Sequence, residues 1–200
     1  MAESPSELPE GELSALIRAA GDGDERAWTR LVDLYARRVF ALAKSRRLSA
    51  EMAEEITQSV FATIATKLTA GDYTEQGRFE AWLFRVAMNR VRDEMRRQKR
   101  QASPMDASSF ALDAAPETGG QRASVEELDS LRGAMEKLSD ADREIVELRH
   151  HAQLSFKQIA DLLGEPMGTL LARHHRALKK LRDIIGTGSG EQGERKADAS

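Results

Sequence analysis

Residues 79–100, FEAWLFRVAMNRVRDEMRRQKR, carry two patterns on one helical period. At that period Phe79, Trp82, Leu83, Val86 and Ala87 fall on a single apolar face. Arg85, Asn89, Arg92, Arg96 and Lys99 follow one another at +4, +3, +4, +3 and line a different face. Trp82 is assigned to the buried anchor. The charges are segregated by sign: seven of residues 85–100 are Arg or Lys, opposed by Asp93 and Glu94. An ordinary solvated helix is the competing reading of a lone charge run. A cationic row beside an aromatic-bearing anchor instead marks a helix that lies along a phosphate backbone.

The whole chain must decide between them. Its 200 residues suit one medium domain or two small ones. An apolar share of 40% supports helical cores, while 32% charged and 5% aromatic residues indicate small, well-solvated bundles. Without cysteine there is no disulfide, thiolate ligand or cysteine nucleophile. The start, MAESPSELPEGEL, lacks the basic and apolar regions of a signal peptide. No apolar run approaches the length of a membrane span, so a cytoplasmic protein with no direct membrane insertion is expected. The net charge of −3 hides local extremes. Residues 106–147 hold eleven acids against Arg122, Arg132, Lys137 and Arg143, whereas residues 172–182 hold Arg173, Arg176, Lys179, Lys180 and Arg182 with no acid. Such patches, more than the total, set where a polyanion binds.

The expected fold is all-α, in two small helical domains joined by a flexible linker. Residues 1–11 read as a disordered N-terminus. Within 12–101, Glu12–Ala20 is a short helix closed by Gly21-Asp22-Gly23, and a long helix follows from about Asp24 to Arg47. Ser49 then caps a helix over about 50–68. The last has Ala53, Ile56, Val60, Phe61, Ile64 and Leu68 inside, with Glu51, Glu55, Gln58 and Ala62 outside. The polar loop 69–78, TAGDYTEQGR, feeds the basic helix. Residues 102–124, with Pro104, Pro116, Gly119 and Gly120, have linker composition. The second domain, 125–185, opens on the capping-box pattern Ser124-Val125-Glu126-Glu127. Its first helix turns Val125, Leu128, Leu131 and Met135 inward, and Ser139 caps the next. Residues 186–200 read as a disordered tail.

Ser155 and Gln158 make another capping box, opening a short helix that breaks at Gly164-Glu165-Pro166. Short helix, glycine turn and longer helix over 155–182 form a helix-turn-helix. Met167, Leu170, Ala177, Leu178, Leu181 and Ile185 are expected to pack inward. Thr169, Arg173, Arg176 and Lys180, at +4, +3, +4, face out. Such a helix offers its N-terminal half to the major groove, where Arg bridges a guanine edge. Cations further along sit on phosphates, which position without specifying.

LSFKQIADLLGEPMGTLLARHHRALKKLR resembles the DNA-reading motif of the fourth domain of bacterial sigma factors. AEEITQSVFATIATKL followed by FEAWLFRVAMNRVRDEMRR resembles their second domain. Two such domains with no recognisable third resemble the extracytoplasmic-function (ECF) group. This likeness covers roughly residues 12–101 and 125–184, nearly all of the patterned chain. It implies an alternative sigma factor that binds core RNA polymerase and directs promoter recognition, melting and initiation. Glu51, Glu55 and Gln58 would face the clamp of the largest polymerase subunit. The loop 69–78 with Tyr73, and Arg85, Asn89, Arg92, Arg96 and Lys99, would hold the −10 strand. Thr169, Ala172, Arg173, His175, Arg176 and Lys180 would meet the −35 element. The group often has an anti-sigma partner, which is expected here too. Leu171 and Ala172 stand where the group usually has a cation followed by Ser, Ser59 stands where an acid is common, and His174 and His175 replace apolar or aromatic residues.

Promoter elements about one and a half duplex turns apart lie about 50–55 Å apart. A 23-residue linker reaches at most about 75–80 Å but averages about 25–30 Å when relaxed. It spans the gap only when a partner holds it extended. No nucleophile, base and oxyanion donor assemble in the sequence, so no enzyme, catalytic residue or cofactor is expected. The pairs His150-His151 and His174-His175 lack the further ligands of a metal site, and none is expected. A free-standing helix-turn-helix regulator is the alternative function.

Overall fold

The computed structural model describes residues 11–101 and 125–194, with side chains over 11–101 and 130–186. The expected linker 102–124, the capping box at Ser124 and residues 1–10 of the expected N-terminal tail lie outside the described residues. So do residues 195–200 of the C-terminal tail. Among the described residues the chain forms eight helices and no strand. They divide into two compact units, the first built on the four helices that precede residue 102 and the second on the four that follow residue 124.

The first unit comprises α1 (Glu12–Gly21), α2 (Glu25–Ser45), α3 (Ala50–Thr69) and α4 (Phe79–Gln101). The Asp24 carboxylate caps α2 by accepting from the Arg26 and Ala27 amides at 2.8 and 3.2 Å. The Ser49 hydroxyl caps α3 through the Met52 amide at 3.1 Å. These bonds satisfy amides that an uncapped helix leaves orphaned. Leu31, Tyr35, Val39 and Leu42 of α2 meet Ile56, Val60 and Ile64 of α3 and Phe79, Leu83, Phe84 and Met88 of α4 in one core. Inside it lies a charge. Arg38 is buried, with its Nη1 2.8 Å from Glu80 Oε1 and its guanidinium 5.2 Å from the Tyr35 ring and 4.9 Å from that of Phe84. Burial first, and then the Glu80 carboxylate, push the Tyr35 phenol far above its ordinary range.

Along α4 the buried stripe is Phe79, Leu83, Phe84, Ala87, Met88 and Val91. Trp82 and Val86, expected inside, are only half-buried. Because α4 packs against both α2 and α3, the inward direction lies between two neighbours, toward Phe84, Met88 and Val91. Trp82 is left at the margin.

The second unit comprises α5 (Val125–Glu136), α6 (Asp140–His150), α7 (Phe156–Leu163) and α8 (Met167–Glu194). Ser139 caps α6 through the Asp142 amide at 3.2 Å. Ala134, Leu138, Val146, Ala177 and Leu181 form a core cluster, with Met135, Leu178, Ile184 and Ile185 packed against it. Leu131, expected inside, is exposed: it shares the face of Ala134 but lies one turn further from the core cluster, which α5 enters at Ala134. Met167 is exposed as well. Side chains lean toward a helix's N-terminus, and from the first position of α8 that direction leads off the end of the helix. The expected disordered tail is corrected in part: α8 continues past Ile185 to Glu194. No proline follows Ile185 to stop it, and each glycine costs a helix only about 1 kcal/mol.

Replacing Glu80 with Ala would leave the Arg38 charge buried without its carboxylate. The expected loss is roughly 3–5 kcal/mol, read from the urea midpoint of the full chain. A loss below about 1 kcal/mol would mean that water replaces Glu80 at little cost.

Candidate nucleic-acid interface

The helix-turn-helix is assembled from local chemistry. Ser155 Oγ accepts from the Gln158 amide at 3.2 Å, and Gln158 Oε1 accepts from the Ser155 amide at 2.7 Å, closing the expected capping box. At the other end of α7, Gly164 takes the left-handed conformation, φ +70°, and its amide donates to the Ala160 carbonyl at 2.8 Å. A residue with a Cβ is strained there. Pro166 follows and its carbonyl accepts from the Thr169 and Leu170 amides, starting α8. Ile159, Leu162 and Leu170 are buried in the angle between the two helices.

That packing sets the outward face of α8. Thr169, Ala172, His175, Arg176 and Lys180 are all exposed. Arg173 differs. It is half-buried and forked onto Glu165, with Nη2–Oε2 at 2.8 Å and Nη1–Oε1 at 3.1 Å. The guanidinium therefore braces the turn to the recognition helix instead of projecting from it. The centre of the outward face runs through Gly168, Ala172, His175 and Lys179, at +4, +3, +4, all exposed. Thr169, Arg176 and Lys180 form one flank, while Leu171 and Met167 lie on the other. The expected row through Arg173 was one flank of the face.

In the first unit, Tyr73 is half-buried and stacks on Trp82, with ring centroids 4.4 Å apart and planes 23° apart. It also meets Phe79 edge-on at 5.7 Å. Glu75 holds this arrangement: it accepts from the Tyr73 hydroxyl at 2.9 Å and from the Gly77 amide. Burial, and then the Glu75 carboxylate, hold the Tyr73 phenol far above its ordinary value, so it is a neutral donor at any working pH. The aromatic surface of the loop is thus a pair, Tyr73 with Trp82, and it is partly open to solvent.

From that pair, α4 extends its cationic face. Arg85, Asn89, Arg96 and Lys99 are exposed and Arg92 is half-buried. Arg96 meets Asp93 at 3.5 Å, an exposed contact of little worth. A second cationic row, Arg90, Arg97 and Arg100, went unnoticed in the sequence, although its +7, +3 spacing is visible there. These three, with Glu55 and Ser59 of α3, line a groove of about 310 Å³ between α3 and α4. Glu51, Glu55 and Gln58 are all exposed on α3.

His150 and His174 stack in the second unit, with Nε2–Nε2 at 3.2 Å and ring centroids 5.4 Å apart. Phe156 meets the His174 ring edge-on at 5.2 Å. Burial, and then Arg149, lower the pKa of His150. Burial, then His150, Arg149 and His175, lower that of His174. Among the described residues no group of three or more His, Asp or Glu could hold a metal ion, and no helix is long and apolar enough to cross a membrane.

A lowered histidine pKa means that the fold prefers the neutral ring, so the unfolded chain binds protons more readily. The stabilisation is intact above about pH 6.5 and is lost as pH falls below it. The melting temperature of the full chain should therefore drop between pH 7.5 and 5.5. His174→Phe, which removes the proton conflict, should flatten that slope. An unchanged slope would show that the pair does not titrate against the fold.

Comparison with known proteins agrees with this geometry. Sigma-70 region 2 matches residues 31–101, and Sigma-70, region 4 matches residues 134–183. The ECF RNA polymerase sigma factor SigE of Mycolicibacterium smegmatis is 32% identical, over 94% of this chain and 72% of its own length. The ECF RNA polymerase sigma factor RpoE of Cereibacter sphaeroides is 31% identical, over 84% of this chain and 92% of its own. Two solved structures share the fold. CnrH in complex with the cytosolic domain of CnrY has TM-score 0.64 and 23% identity over 86% of this chain and 96% of that one. The sigma factor RpoE of Bartonella quintana, in complex with the anti-sigma factor NepR, has TM-score 0.60 and 22% identity over 80% and 98%. With a helix-turn-helix in one unit and an aromatic-cationic helix in the other, the chain belongs to the ECF RNA polymerase sigma factors, the alternative sigma factors that direct RNA polymerase to its promoters.

Proposed function

We propose that the two units divide promoter recognition as follows. Residues 12–101 act as sigma domain 2. Glu51, Glu55 and Gln58 of α3 dock on the clamp of the largest polymerase subunit. Loop 69–78 and the start of α4 take the melted −10 strand, its bases against the Tyr73–Trp82 pair and its phosphates on Arg85, Arg92, Arg96 and Lys99, with Asn89 as a polar contact. Single-stranded DNA needs this combination of flat surface and cations. Residues 125–185 act as sigma domain 4, with Thr169, Ala172, His175, Arg176 and Lys180 toward the −35 element. Arg173 serves there as a brace held by Glu165.

The observation that carries this reading is the exposed, cation-bearing face of α8 behind a capped helix-turn-helix. The chain supplies recognition and leaves bond-making to the polymerase, which places its work in the cytoplasm. A soluble or membrane-held anti-sigma protein is the expected regulator, because Bartonella quintana RpoE, which shares the fold, is found with one.

The purified chain with core bacterial RNA polymerase, and neither alone, should start transcripts from DNA selected out of a random-sequence pool. Tight duplex binding by the isolated chain, with no polymerase association, would instead mark a free-standing regulator. Arg176→Ala should weaken −35 binding by about 1–3 kcal/mol, the worth of a bidentate base contact. Arg173→Ala should act mainly through the melting temperature of the second unit. If Arg173→Ala changes base preference without lowering stability, the brace assignment is wrong.

A further inference from the structure

On α8, Leu171 and Met167 are 43% and 51% exposed. They stand one turn apart at i and i+4, so they make one continuous apolar patch. Leu170, Ala177 and Leu181 of the same helix are buried, and Leu178 is half-buried. The patch therefore does not reflect a generally loose helix. It lies in the N-terminal half of α8, the part that a recognition helix inserts into the major groove. Beside it, Gly168 and Ala172 offer almost no side chain, and a Cβ built on Gly168 would meet nothing within 4 Å. The backbone of α8 can approach base edges closely along this line.

Leucine and methionine side chains carry no hydrogen-bond donor. What they can recognise in a major groove is an apolar group, and among the four bases only thymine presents one, its C5-methyl. The exposed cations that continue the same helix, Arg176, Lys179 and Arg182, fit a polyanion and argue against an apolar protein helix as the partner. We propose that Leu171, supported by Met167, is a specificity residue that reads a thymine methyl within the −35 element. This rests on the assignment of α8 to that element.

The test uses the full chain assembled with core bacterial RNA polymerase, and promoter fragments that this holoenzyme selects from random-sequence DNA. Each −35 thymine is replaced singly by deoxyuridine, which removes the methyl and keeps every hydrogen-bonding group. At one position the replacement should weaken binding about fourfold, the worth of one methyl group taken out of water. In Leu171→Ala the same replacement should have no effect. Leu171 is exposed, so this variant should keep the circular dichroism and melting of the parent. Selected −35 elements without thymine, indifference to every replacement, or sensitivity that persists in Leu171→Ala would each overturn the proposal. Failure of the holoenzyme to select any shared −35 element would overturn the assignment of α8 itself.

Discussion

The rotation of α8 about its own axis is fixed by the burial of Leu170, Ala177 and Leu181, and the −35 contacts proposed for that helix follow from that rotation. Burying each leucine is worth about 1.5–3 kcal/mol, far more than any exposed side chain gains by turning elsewhere. With that side locked against α5, α6 and α7, Ala172, His175 and Lys179 have only solvent to face. The ion pair from Arg173 to Glu165 adds a second constraint. It ties the recognition helix to the turn before it, so the angle between α7 and α8 does not rest on apolar contact alone.

Carboxylates do comparable work in the first unit. Glu80 holds Arg38 inside the core between Tyr35 and Phe84. Glu75 holds Tyr73 and Gly77, and Tyr73 is thereby kept against Trp82. The first pair sets how α4 lies on α2, and the second sets the shape of the loop that leads into α4. In the proposed −10 role a preformed loop would matter, because a surface that must first order itself spends part of its binding energy doing so. The neutral Tyr73 phenol is consistent with a role in stacking and hydrogen bonding.

Much of this was legible in the sequence. Asp24, Ser49, Ser139, the Ser155–Gln158 box and Gly164 mark helix ends by local chemistry, and each behaves as its residue type requires. Periodicity found the inward sides of α3 and most of α8. It failed where the answer depended on neighbours. Trp82 and Leu131 sit at edges of apolar stripes, and which edge a neighbouring helix covers is a tertiary fact. Met167 has the right period but no element beneath it. Arg173 is eight residues from Glu165, across a turn, so no helical spacing announces their pairing. The row Arg90, Arg97, Arg100 has a readable spacing, but its meaning appears only when α3 closes the other wall of the groove.

The electrostatics explain why an acidic chain can serve on DNA and why it needs help. The overall charge is −3, yet the exposed cations of α8 form a local patch with no acid among residues 172–182. That patch is small. Affinity for a duplex grows with the number of phosphates neutralised and falls steeply with salt, and a few lysines and arginines beside one base-reading surface give a weak, salt-sensitive grip. The second cationic surface, on α4, lies in the other unit, and in the proposed division it serves a strand that must first be melted. In that division neither surface alone is expected to give tight, independent duplex binding. Together they gain affinity only when both can engage at once, which is the arithmetic of linked sites. On that proposal, a polymerase that fixes the separation of the two units and supplies the unwound strand provides what the chain's own charge does not.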